Sequence, residues 1–268
     1  MKKGKNNKER KFISTGIPGF DNLFRNGIPK GSSVLVAGGA GSGKTNFCLQ
    51  ILAHHASLEK KCYYMSFKES PERLIQYMKN FGWNPKRFID SGNLKIKRFL
   101  ASEIYYYDKK SGSDIQAMMT KDVDPLLMEL EPLAIAEDKG FKPDFIVLDS
   151  LNALSSTYRG KEQSYRFYVE RLFHFFEKIG STNFLITETK QVPEIFSSTG
   201  VEEFLADGVV VIYNIRRKNI RESAIEVLKM RGETHQKNIV SMQITDRGIE
   251  VFPEEEVSLA MEGEQLTS

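Results

Sequence analysis

Apolar residues along this chain fall into two rhythms that alternate. Short continuous runs read as strands buried on both faces: Val34, Leu35 and Val36 within SSVLVAG, residues 61–67 (KCYYMSF), Leu94 to Leu100, Phe145 to Leu148, and Asn183 to Ile186. Between them the spacing changes to that of helices with one buried face. Asn46 to Leu58 (NFCLQILAHHASL) is the first. A second opens at Ser70-Pro71, aligns Leu74, Met78 and Phe81, and ends at Gly82. A third, over 163–179, places Tyr165, Val169, Leu172, Phe176 and Ile179 on one side and stops at Gly180. In the last third the alternation gives way to successive strands at Val209 to Ile215, Glu222 to Met230 and Val240 to Ile244. Residues 101–140 follow neither rhythm. Tyr105, Tyr106 and Tyr107 precede a turn-like DKKSGSD and a weakly periodic helix over Val123 to Glu137, which Pro125 and Pro132 limit. A mobile insertion and a partner surface are both open readings of that stretch.

Alternating strands and helices imply an α/β domain with a mostly parallel sheet, helices on both faces and a C-terminal antiparallel hairpin extension. Ligands in such sheets lie beyond the carboxyl ends of the strands. Four segments with chemistry end there: the turn after SSVLVAG, Asp149, Thr187-Glu188, and Glu69.

The first is the most informative. Gly38 to Thr45 read GGAGSGKT, the full G-x-x-x-x-G-K-[ST] spacing, with a strand entering and a helix leaving. Glycines let backbone N–H groups wrap a polyphosphate, and the helix N-terminus adds partial positive charge. Lys44 is placed to reach the β- and γ-phosphates and Thr45 to ligate Mg²⁺, so the expected ligands are ATP and Mg²⁺. Asp149, after the apolar FIVL, has the form of a second Mg²⁺-orienting group; capping the following helix is its other reading. Glu69 is the candidate that activates water, although an acid in the first turn of a helix is also favoured by the dipole, and Lys68 beside it weakens it as a base. Lys229 and Arg231, two apart on a strand, project from one face. They form either a solvated basic face or a clamp for a phosphate, including that of a neighbouring subunit.

Composition narrows the setting. The 268 residues carry a net charge of +3, which hides opposite ends. Residues 1–11 hold six basic groups and one acid (+5), and the stretch from Pro253 holds five glutamates and no base. The expectation is a mobile basic arm over 1–11, one domain over 12–253 and a disordered acidic tail over 254–268. Such an arm attracts nucleic acid or another anionic surface. No apolar run approaches the roughly 18 residues of a membrane span, and no apolar segment suggests a secretory signal, so a cytoplasmic protein is expected. The two cysteines, Cys48 and Cys62, read as buried small hydrophobes, and the four scattered histidines give no zinc spacing.

Six segments in order resemble the KaiC family of the RecA/RadA superfamily. They are STGIPGFDNLFRNGIPKGSSVLVAGGAGSGKT, SFKESPERL with FGW, LDSLNAL, GVEEFLADGVVVI, LKMRGETHQ and ITDRGIEVFP. A single domain of this length looks like the archaeal KaiC-like ATPases. The resemblance implies a RecA-like core and ATP held between adjacent subunits of a ring, usually a hexamer, in a regulatory or signalling role. One subunit would supply Gly41, Ser42, Gly43, Lys44, Thr45 and Asn46, with Asn80 near the base. Its neighbour would supply Lys229, Met230, Arg231, Glu233 and His235, and Thr245 with Asp246. The chain departs from the family in one place that bears on chemistry: Lys68 stands where the first of two adjacent acids is found, leaving Glu69. Slow hydrolysis by an ATP-dependent assembly switch, whose ATP state recruits an unknown protein partner, is therefore a competing expectation. Another is an accessory protein like the RadA paralogues that binds single-stranded DNA or a recombinase. Glu203 and Phe204 occupy the places where the family's autokinase half has its Ser-Thr pair, so self-phosphorylation there is not expected.

Overall fold

A computed structural model describes residues 11–99, 141–158, 162–189, 196–197, 199–217 and 219–258. The expectations for residues 1–10, for 101–140 and for the tail beyond 258 lie outside the described residues. Strands β3 (Ser33–Gly38), β4 (Cys62–Ser66), β5 (Leu94–Arg98), β6 (Phe145–Asp149) and β7 (Thr182–Glu188) run parallel, as does the first strand of the C-terminal part, β8 (Gly208–Arg217). From β8 the sheet continues antiparallel through β9 (Ile220–Met230), β10 (Val240–Thr245) and β11 (Gly248–Glu256). The full order is β11-β10-β9-β8-β3-β7-β6-β4-β5, with β3 flanked by β7 and β8. A small ribbon, β1 (Phe12–Ile13) with β2 (Ile28–Pro29), stands apart from this sheet.

Every residue of β3, β4 and β6 is buried, which is why these strands lack polar alternation. The period of two still sorts their side chains between two cores. Val34 and Val36 face a core with Phe47, Leu49, Ile51 and Leu52 of α1 (Lys44–Ser57). Leu35 and Ala37 face Tyr165, Val169, Leu172 and Phe176 of α5 (Glu162–Ile179) on the opposite side. Helix α2 (Pro71–Asn80) starts as its sequence indicates, with the Ser70 hydroxyl accepting from the Arg73 N–H at 3.4 Å. Both cysteines are buried and unpaired.

Several short elements exceed the expectation: α3 (Pro85–Asp90), α4 (Leu151–Thr157), α6 (Val201–Leu205) and a 3₁₀ turn over Phe20–Leu23. The last strand does so too. β11 ends in Pro253 and three consecutive glutamates, Glu254 to Glu256, a composition that reads as a polar end, yet it lies on the sheet edge, where exposed acids and a proline are tolerated. It extends to Glu256, beyond the boundary expected at 253.

The N-terminal segment is fastened to this edge strand. The Val251 N–H donates to the Pro18 carbonyl at 2.9 Å, and Gly19 has a φ of 77°. A Cβ on Gly19 would sit 1.8 Å from the Val251 carbonyl oxygen. Gly19→Ala is expected to destabilise the protein by about 3 kcal/mol or more, from backbone strain and the forced separation together. Urea unfolding measures it; a midpoint within error of the parent's would refute this reading of the contact.

Candidate functional site

The glycine-rich loop bridges the carboxyl end of β3 and α1. Gly41 and Gly43 hold φ of 74° and 100°, and a Cβ on Gly38 would lie 2.3 Å from the Ile212 carbonyl oxygen, so the spacing of glycines is sterically required. Helix α1 begins at Lys44, two residues earlier than its apolar period shows, with left-handed Gly43 as its N-cap. The Lys44 ammonium is buried and donates to the Gly38 and Gly39 carbonyls at 3.0 and 2.8 Å. Burial lowers its pKa, against the opposing pull of Glu188 and Asp149.

Asp149 ends β6, two strands from β3, and is 3% exposed. One of its oxygens, Oδ2, accepts from the Thr45 hydroxyl at 3.1 Å and from the Tyr64 hydroxyl at 2.7 Å. Burial raises its pKa; the two hydrogen bonds, then Lys68 and Lys44, pull the other way. Sequence reasoning missed Tyr64, since nothing in KCYYMSF says that β4 lies beside β6. A hydroxyl and a carboxylate in contact are hard oxygen donors suited to Mg²⁺. The buried Ser42 hydroxyl, unpartnered among the described residues, and the start of a 14-residue helix suit a polyphosphate.

Gly41, Gly43, Lys44, Thr45 and Asp149 line a cavity of about 400 Å³ together with Asn46, Lys68, Glu69, Tyr77, Glu188 and Ile244. The Ser66 hydroxyl shapes its far wall, accepting from the Lys68 and Glu69 N–H groups at 3.3 and 3.0 Å and donating to the Glu69 carbonyl at 2.8 Å. The Glu69 carboxylate accepts from Arg73, one helical turn on, at 3.1 Å. Lys68 does not sit on Glu69; its ammonium pairs with Glu188 at the end of β7. A larger cavity of about 580 Å³ between β9 and β10 is lined by Arg221, Glu222, Gln243 and Glu256 and shares only Ile244 with this one.

The remaining candidates divide between the two ends of the sheet. Asn80 ends α2 and accepts from Gln76 at 2.8 Å; Tyr77, one turn earlier, is the α2 residue in the cavity. Thr245 and Asp246 form the turn between β10 and β11. The resemblance implies that they serve the neighbour's site; within this chain they follow Ile244, which lies beside the loop. Ile244 lines the cavity, Gln50 of α1 exchanges hydrogen bonds of 3.1 and 2.7 Å with Ile249, and the Trp83 indole donates to the Arg247 carbonyl at 3.2 Å.

Lys229, Met230 and Arg231 lie at the other end. Met230 pairs with Gly208, which pairs with Val34 at the start of β3, whereas the loop leaves beside Ile212. At strand rise that is a separation of about 13 Å along the sheet, pointing away from the loop. There the Lys229 ammonium donates to the carbonyls of Glu203 and Ala206 at 2.9 and 2.6 Å, and Arg231 to that of Phe204 at 2.8 Å, capping α6. Burial and then the Arg231 charge lower the Lys229 pKa. Glu233 accepts from Asn26 at 2.9 Å, and His235 bridges Phe24, so both belong to this same end.

A glycine loop and buried lysine between a central parallel strand and a helix, faced by a strand-end aspartate, define a P-loop nucleotide-binding fold. Within that class the chain belongs to the KaiC ATPase family, whose model matches residues 13–256. It is 32% identical over 253 residues to the circadian clock oscillator protein KaiC of Acaryochloris marina, covering 94% of this chain and 46% of that protein. Against KaiC of Synechococcus elongatus it is 30% identical over 252 residues, again covering 46% of that protein. The chain thus spans about half the length of these curated relatives. Its backbone resembles the crystal structure of the KaiC-like protein PH0186 from Pyrococcus horikoshii OT3, with a TM-score of 0.71, 25% identity, and coverage of 90% of this chain and 99% of that one. Among the described residues no helix is long and apolar enough to cross a membrane.

Proposed function

We propose that the protein binds ATP with Mg²⁺ and hydrolyses it to ADP and phosphate at the interfaces of a ring of identical subunits, six in number, as a regulatory ATPase of the cytoplasm. The observation that carries this reading is the division of the site. Of the two lysines lining the cavity, Lys44 is bonded to loop carbonyls and Lys68 to Glu188. The pair that would complete a phosphate clamp, Lys229 and Arg231, lies at the opposite end of the sheet beside α6, so in this reading it serves the loop of another subunit.

In this reading the backbone N–H groups of Gly41 to Asn46 and the Lys44 ammonium hold the phosphates. Thr45 and Asp149 hold Mg²⁺, which supplies neutralisation of phosphate charge. Glu69 orients water and accepts its proton. Asn80, Tyr77 and the Thr245-Asp246 turn border the rest of the nucleotide, and Met230, Glu233 and His235 of the adjacent subunit accompany its two cations.

Turnover measured alongside light-scattering mass, with and without ATP, tests the proposal. Turnover should track ring formation, and Glu69→Gln should lower it by about 100-fold or more without dissolving the ring. A monomer that hydrolyses ATP at the assembled rate would refute it. One observation favours a second reading, an ATP-dependent assembly switch with little hydrolysis. The Glu69 carboxylate is paired with Arg73, a cation that stabilises its charged form and weakens it as a base. In that case rings form with ATP and turnover stays negligible in parent and variant alike.

A further inference from the structure

Lys68 is where this chain departs from the paired acids of its family, and its place in the fold gives it a task. The Ser66 hydroxyl fixes the turn after β4, and from there the Lys68 ammonium crosses the end of β6 to reach Glu188 on β7. Both side chains line the same cavity as Lys44, Thr45 and Asp149. Glu188 lies beside Gly38 in the register of β3 and β7, so the pair stands where the phosphate loop begins. Their side chains are 39% and 43% exposed, and an ion pair that open is weakly held and readily exchanged.

We infer that Lys68 is the chain's own sensor of the terminal phosphate of a nucleoside triphosphate, held by Glu188 until that phosphate displaces the carboxylate. This rests on the reading of the cavity as an ATP site. The loop and the start of α1 hold the phosphates nearest the helix, and the wall across from them, reached from β4 and β7, carries Lys68, Glu69 and Glu188. A carboxylate there repels the outermost phosphate, whereas an ammonium attracts it. Exchange of partner by Lys68 therefore separates triphosphate from diphosphate. Glu188 is a positioning residue: the Asn152 side chain accepts from its N–H at 2.5 Å and donates to its carbonyl at 3.1 Å, which fixes the backbone while leaving the carboxylate to Lys68. Its release at the start of the segment after β7 gives the triphosphate state a local signal that the diphosphate state lacks.

A double-mutant cycle separates this from simple charge neutralisation. Titration calorimetry in Mg²⁺ with ADP and with a non-hydrolysable ATP analogue is made on the parent, Lys68→Met, Glu188→Gln and the double variant. Lys68→Met is expected to weaken the analogue about tenfold and leave ADP within about twofold, as loss of one charge-assisted phosphate contact implies. Glu188→Gln tightens the analogue by freeing Lys68, and the double variant, with the repulsion of Glu188 also gone, recovers part of the loss but stays weaker than the parent. A double variant that regains the parent's affinity would show that Lys68 only neutralises Glu188 and would overturn the assignment. Equal weakening of ADP and analogue by Lys68→Met overturns it too. A parent that binds neither nucleotide overturns the ATP-site reading and this assignment with it, and the loss of ADP binding tells that failure apart.

Discussion

Lys44→Ala should abolish tight nucleotide binding, weakening ATP and ADP by about 100-fold or more. An ammonium has three donors, and two are spent on the carbonyls of Gly38 and Gly39, which aligns it along the loop and leaves one for a phosphate oxygen. Among the described residues no other lysine or arginine lines the cavity close to the loop, since Lys68 enters from the far wall and is paired with Glu188. The same substitution should leave the fold intact. Burial disfavours the charged amine, as its lowered pKa records, so losing it relieves a desolvation cost that offsets the two bonds to carbonyls. Fluorescence titration with nucleotide and a melting curve without it read the two effects separately. Unchanged ATP affinity in a folded Lys44→Ala protein would remove the basis for an ATP site at this loop.

The second large effect belongs to the other end of the sheet. Lys229→Ala with Arg231→Ala is expected to lower turnover by about a thousandfold, the scale of a phosphate-binding cation supplied in trans, while the chain's own loop still takes up nucleotide. These cations also cap α6, so loss of activity alone could reflect a disturbed helix. Mixing removes the ambiguity. A Lys44→Ala subunit retains the cations and lacks a working loop, and the double variant has the reverse. Random co-assembly of the two dead proteins in equal amounts should restore roughly a quarter of the parent's turnover, because a head-to-tail interface pairs a sound loop with sound cations at that frequency. A mixture that stays inactive would place Lys229 and Arg231 in a purely structural role at α6.

How far the sequence discloses this arrangement depends on where its physics is local. β3, β4 and β6 are legible because a strand covered on both faces keeps polar residues to its ends, here Ser33, Ser66 and Asp149, and α5 because a single apolar stripe faces the core. β11 is not, because an edge strand bearing Pro253 and Glu254 to Glu256 has the composition of an end. Helices α3 and α6 are too short to show a period. The loop, Lys44 and Thr45 are contiguous and announce themselves, and Asp149 follows from the apolar run before it. Tyr64 and the partnership of Lys68 with Glu188 are different in kind. They depend on β4, β6 and β7 being neighbours, and nothing along one strand states which others flank it. The same holds for Thr245 and Asp246, whose turn meets its own loop only because β10 and β11 fold back over the start of α1.

The place of β3 in the sheet also bears on how the protein is made. Ser33 of this strand and Asn183 of β7, joined side chain to side chain at 3.1 Å, are 150 residues apart, and β8 comes later still. At the usual pace of translation, roughly 5–20 residues per second, the strand bearing the phosphate loop leaves the ribosome on the order of 10–30 s before either of its neighbours exists. Throughout that interval Val34, Leu35 and Val36 have no sheet to enter. In the nascent chain this strand therefore waits unpaired, and the glycine loop gains its flanking strands only as the second half of the chain emerges.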